Sequence, residues 1–220
     1  MESKTLDAVE FRGRQRQQWD SAATGWRKWS ELIDGAASKI SERLVMLAGV
    51  EPGSRVLDVA AGYGEPSLTA AKAAGRRIRR FLLPGARMAI SSWGPPDRVP
   101  FLAIPMRTAM ERLQVPPPAP GTPGPLSRPT PEALGGLLET AGFSDVEVEQ
   151  ADVSFEWPSP EEFTAFIREI APPITAMIDP HPQNVQDETW AAITEAIRQA
   201  AAEDGAVRFS NLVLLPVGRA

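Results

Sequence analysis

The 220-residue sequence contains no cysteine, which excludes disulfides, thiolate metal sites and a cysteine nucleophile. It contains one histidine, His181, in the segment DPHPQN. A lone histidine between prolines is a candidate general base or, more simply, a solvated loop residue. No apolar run approaches the roughly 18 residues that span a bilayer. The stretch MESKTLDAVEFRGRQRQQW also lacks the apolar core of a secretory signal. The expectation is a cytoplasmic protein with no membrane partner. An excess of positive charge is missing too: the net charge is −5, so no basic field recruits nucleic acid. One further absence is local. From Pro66 to Pro96 there is no Asp or Glu.

The composition that remains, 43% apolar and 23% charged, is that of a globular chain with a substantial core. Its 22 prolines punctuate the chain. Gln15 to Leu47 reads as helical, with Trp19, Trp26 and Trp29 in the first part and Ile40, Leu44 and Leu47 on one face of the second. Pro52-Gly53 breaks it. Arg55 to Ala61 is a short apolar, β-branched run, the pattern of a buried parallel strand. Pro66 suits the first turn of a helix, and Leu68, Ala71, Gly75, Ile78 and Leu82 form its apolar stripe. Lys72, Arg76, Arg79 and Arg80 fall away from that stripe. Pro84-Gly85 ends this helix, and Ala86 to Trp93 reads as the next strand. Val115 to Pro131 is proline-dense and is expected to be an extended surface loop. Thr130-Pro131 opens a helix that Gly142 closes. Asp145 to Trp157 alternates as one strand or a pair. Pro160 to Ile170 and Asp187 to Glu203 read as helices, and Val207 to Val217 as a last strand. There is no internal repeat. Alternating β and α elements predict an α/β sandwich with a largely parallel sheet.

The turn Asp58-Val-Ala-Ala-Gly62-Tyr63-Gly64 sits between the predicted strand and helix. Glycines there let a ligand approach the backbone, and the helix N-terminus offers unpaired N–H groups. Ser67 stands where a dinucleotide fingerprint has its third glycine, which weakens an NADP reading. A glycine-rich turn without a ligand is the plainer alternative.

VLDVAAGYGEPSLTAA resembles motif I of the class I S-adenosylmethionine-dependent methyltransferases, in particular the group similar to the quinone-biosynthesis C-methyltransferases. QWDSAATGW resembles that group's N-terminal cap helix, and RRIRRFLLPGARMAISSWGPP its helix, Pro-Gly turn and fifth strand. LGGLLETAGFSDVEVE resembles its helix, Ala-Gly-Phe turn and following strand. The resemblance implies a Rossmann-like α/β sandwich, with residues 1–50 as a helical cap and 51–220 as the methyltransferase domain. It implies S-adenosyl-L-methionine as cofactor, held by Asp58, Ala60, Ala61, Gly62, Tyr63 and Gly64, and a small-molecule methyl acceptor. Trp19, Trp26 and Trp93 are then candidate substrate walls, although tryptophans at helical spacing also serve as core or docking contacts. Methyl transfer is an in-line displacement that works through positioning, so neither a catalytic triad nor a metal is expected.

The chain departs from the family in its middle. Gly75 ends what resembles the first helix, and Arg76 begins what resembles the helix before strand five. Two or more βα units are absent, roughly 60 residues at about 30 per unit. A ribose-binding acid is expected about 20 residues beyond the glycine turn, where this chain has Arg76, Arg77, Ile78, Arg79 and Arg80. The fold is therefore expected in shortened form, with about four strands rather than seven. A single β-α-β crossover would join strand one to strand five, leaving an exposed edge that a homodimer would cover. Losing two charge-assisted bonds to ribose, about 1.5–3 kcal/mol each, weakens the cofactor site by roughly 10²–10⁴. The alternative reading is an internally deleted, non-catalytic remnant. The arginine cluster reads as the solvent face of a helix rather than a phosphate or nucleic-acid site.

Overall fold

A computed structural model describes residues 8–58, 66, 69, 70, 73, 85–118 and 122–220. Among them the chain is mixed α/β, with seven α-helices and a four-stranded sheet. In chain order the elements are α1 (Ala8–Lys28), α2 (Ser30–Leu47), β1 (Arg87–Ala89), β2 (Ser92–Trp93), α3 (Pro100–Leu113) and α4 (Pro131–Thr140). There follow β3 (Ser144–Trp157), α5 (Pro160–Ile170), α6 (Pro172–Ile178), α7 (Gln183–Ala200) and β4 (Val207–Arg219). They form two compact units. One takes the described residues up to Glu31 with Ile104–Pro117 and Glu156–Val207; the other takes those within Leu32–Ala103, Pro118–Phe155 and Arg208–Ala220.

The first unit is helical and is organised by α5. Ser159 caps that helix, its Oγ accepting from the Glu162 N–H at 3.2 Å, with Pro160 at the first helical position and Glu161 and Glu162 in the first turn. Each feature favours a helix start, through a satisfied N–H, a fixed φ and charge against the dipole. Phe163, Phe166, Ile167 and Ile170 follow at three- and four-residue steps and are buried. Trp157 packs on this face, 4.8 Å from Phe163 and 5.1 Å from Phe166 between ring centres. Ile174 and Ile178 of α6 and Ile193 and Ile197 of α7 complete the core. Ala171 precedes Pro172, so the helical conformation is disfavoured there. Its φ of −113° and ψ of 71° end α5 and let α6 start in a new direction.

Helix α1 approaches α5 closely at Gly25. A Cβ there would lie 2.3 Å from the Glu169 carbonyl oxygen and 2.7 Å from the Glu169 Cβ. Only glycine permits that approach. Trp29, one turn later, meets Phe166 edge-on at 5.4 Å.

In the second unit β4 lies between the other strands. Its run NLVLLPVG is buried from Asn211 to Gly218 on both faces, as a near-continuous apolar strand requires. β1 and β2 lie antiparallel on one side of it in a single register, Arg87 opposite Arg219 and Trp93 opposite Val213. β3 pairs with β4 as well. The strand expected over Ala86–Trp93 is split because Ile90 N–H donates to Pro216 O at 3.1 Å, while Pro216 has no N–H to return. Leu134 and Leu138 of α4 are buried, and Leu134 packs with Leu212, Leu214 and Val148. The helix begins as its sequence predicts, with Thr130 Oγ1 accepting from Ala133 N–H at 3.2 Å and Gly142 at φ +92° beyond its end.

Asn211 is fully buried. Its Oδ1 accepts from the Phe101 N–H at 3.2 Å, and its Nδ2 donates to Val153 O at 3.3 Å and Phe209 O at 3.1 Å. One side chain thus ties the first turn of α3 to β3 and β4. Phe101 itself lies 4.8 Å from Trp93 and 5.4 Å from Phe155 between ring centres.

The expected parallel sheet is corrected: β4 runs antiparallel to β1 and β2, since the last strand returns along its neighbours. The stretch that would carry parallel pairing, Arg55 to Ala61, is described only as far as Asp58, where Val56 forms a single bridge. The stripe from Leu68 to Leu82, the Gly75 seam and the crossover lie outside the described residues.

Gly25→Ala is expected to lower unfolding stability by about 2–3 kcal/mol through forced separation of α1 from α5. Gly35→Ala, in an open position of α2 with nothing within 4 Å, should instead raise it by about 0.5–1 kcal/mol. Asn211→Ala should cost about 3 kcal/mol by stranding buried backbone groups. Urea midpoints of the purified variants check all three.

Candidate functional site

The glycine turn is the first candidate. Asp58 is half-buried, directly after the exposed Leu57. Ala60, Ala61, Gly62, Tyr63 and Gly64 lie outside the described residues, as does the Arg76–Arg80 cluster. Beyond the turn Thr69, Ala70 and Ala73 are helical, and Ala70 N–H donates to Pro66 O at 2.9 Å. Thr69 and Ala73 of that helix, with Val45, Met46 and Val50, line an open groove of about 600 Å³. Among the described residues its charged side chains are Glu42 and Glu51.

The three tryptophans named as substrate walls are placed in different units. Trp19 and Trp26 belong to the helical unit and Trp93 to the sheet unit. Trp19 is 46% exposed and stands 6.1 Å from Trp26. Trp26 is engaged in docking, its indole N–H donating to Ile170 O at 3.1 Å. Trp93 stacks edge-on against Phe101. His181 lies in the turn between α6 and α7, where its backbone makes the contacts: the N–H donates to Ile178 O at 3.1 Å and the carbonyl accepts from Gln186 Nε2 at 2.7 Å.

A second groove, of about 480 Å³, was not foreseen from the sequence. It lies in the helical unit, where α1 meets the end of α5, α6 and α7. Glu169 on its wall accepts from Lys28 Nζ at 2.7 Å and from Trp29 Nε1 at 2.6 Å. Burial raises the cost of its charge, but these two donors and the Lys28 charge outweigh it, and its carboxyl titrates below the ordinary glutamate range. Beside it, the Arg168 guanidinium sits 5.1 Å from the centre of the Trp190 ring. Only the amphipathic pattern of α5 hinted at this: Arg168 and Glu169 fall off its apolar stripe. Their partners on α1 and α7 are distant in sequence and carry no local signal.

Among the described residues no group of three or more His, Cys, Asp or Glu side chains is placed to hold a metal ion. No helix among them is long and apolar enough to cross a membrane. Comparison with known proteins found no family model that matches the chain and no curated protein that matches it in sequence.

The sign of the Glu169 effect follows from its lowered titration. A carboxyl whose folded value lies below its unfolded one adds stability above the unfolded value, and loses it as pH falls through the folded one. Glu169→Gln should therefore be less stable than the parent near pH 7 by about 1 kcal/mol, a value limited by partial exposure of the ion pair. The difference should begin to shrink as pH falls past the ordinary glutamate value of about 4.3 and vanish only once the carboxyl is protonated in the folded protein as well. Thermal unfolding of both proteins across this range measures it.

Proposed function

We propose that the chain is a class I S-adenosylmethionine-dependent methyltransferase by descent, a shortened Rossmann-like protein acting in the cytoplasm on a small-molecule acceptor. Asp58 and the turn from Ala60 to Gly64 hold the methionine end of the cofactor. Trp19, Trp26 and Trp93 are the candidate acceptor contacts.

The ordered set of four motifs carries this reading. The described parts of three of them fall on elements of the kind the resemblance implies. QWDSAATGW lies within α1. The strand pair β1 and β2 follows Gly85, whose φ is +78°. LGGLLETAGFSDVEVE runs from α4 through a turn at Gly142 into β3. The strands of the last two motifs share β4 as neighbour.

One observation favours a second reading, a remnant that folds without turnover. The interval from Pro66 to Pro96 has no carboxylate for the ribose hydroxyls, and the loss of such bonds moves a micromolar site toward millimolar. A second copy supplying the absent half of the site would restore affinity.

Calorimetric titration of S-adenosylmethionine, with S-adenosylhomocysteine as control, separates the readings. Saturable micromolar binding, abolished by Asp58→Ala, is the result expected of a working methyltransferase. No heat up to millimolar cofactor would leave the remnant as the function of the fold.

A further inference from the structure

The groove of the helical unit contains two charges that the protein leaves unspent. Arg168 is held over the Trp190 ring and, among the described residues, faces no carboxylate in ion-pair contact. Asp179, at the end of α6, lines the same groove. Its backbone carbonyl accepts from Gln186 Nε2 at 2.9 Å, but among the described residues no cation pairs with its carboxylate. The other two charges in the groove neutralise each other, since Lys28 and Glu169 are 2.7 Å apart. Thr175 adds a hydroxyl, already donating to Pro172 O at 3.2 Å and so left with acceptor capacity.

A guanidinium laid on an aromatic ring is pre-organised for a carboxylate, because stacking restrains the side chain and leaves its N–H edge free. A nearby unpaired carboxylate selects against a simple anion and in favour of a ligand that also carries a cation. The volume, about 480 Å³, lies within the range of small-molecule sites. We propose that this groove binds a small zwitterion of the amino-acid class, its carboxylate held by Arg168 and its ammonium by Asp179. This site is independent of the glycine turn and requires no methyl transfer.

The test is calorimetric titration of the full chain, without S-adenosylmethionine, using glycine, L-alanine and L-methionine as zwitterions. Acetate and methylammonium serve as half-ligands. At least one zwitterion should bind saturably, and each half-ligand should bind at least roughly tenfold more weakly, the value of one charge-assisted bond. Arg168→Gln and Asp179→Asn should each weaken the zwitterion by a similar factor. Both positions are exposed, so the variants are expected to keep the parent circular dichroism spectrum. Three results would each overturn the assignment: no saturation by any zwitterion up to about 10 mM, undiminished affinity in both variants, or acetate binding as tightly as glycine.

Discussion

A strand with neighbours on both edges and cover on both faces has nowhere to send an unpaired polar group, and β4 is in that position. The sheet unit depends on how this strand is satisfied. Asn211 shows the constraint most directly. It is polar in the middle of an apolar run, and it is tolerated because its amide group is used on both sides. A half-satisfied amide would cost more than an apolar side chain of the same size. By meeting the Phe101 N–H, Asn211 also supplies an acceptor to a helix start whose preceding residue, Val99, has no polar side chain. The position of α3 is thus set from across the sheet rather than by its own cap.

The helical unit answers to a different constraint, closeness of backbones. With Gly25 against the Glu169 carbonyl, α1 comes near enough for Lys28, Trp26 and Trp29 to reach the end of α5. The ion pair at Glu169 and the groove beside it follow from that one small residue. A larger residue at position 25 would widen the gap and dissolve the contacts together.

Elements with a local stop and start were legible in the sequence. Ser159-Pro160 and Ala171-Pro172 bound α5, and the expected Pro160 to Ile170 is the helix observed. Alternation gave β3 to within one residue. Helix α7 starts four residues earlier than expected, at Gln183, because its first turn, QNVQ, has little apolar pattern and no side-chain cap. Helices α3 and α6 were not read at all. Pro105 lies inside the first, and two prolines open the second, so the signal that marks breaks elsewhere concealed helices here. Strand direction was misjudged because pairing is set by partners far along the chain, not by the pattern within a strand. Of the candidate site, Trp26 was visible as a residue, but its acceptor, Ile170 O, is 144 positions away. Arg168 and Asp179 carried no motif.

The missing donor at Pro216 divides the β1/β2 ladder into two short zippers. Below it, rungs join Ala86 to Ala89 with Val217 to Ala220; above it, they join Ser92 to Gly94 with Leu212 to Leu214. Neither zipper has to open for the other to do so. Breathing of the sheet should therefore run in two steps, with the outer rungs exchanging their amide protons while the rungs beside Asn211 stay closed. A proline in a buried strand acts here as a mechanical fuse, confining motion of the last few residues to their own side of the gap.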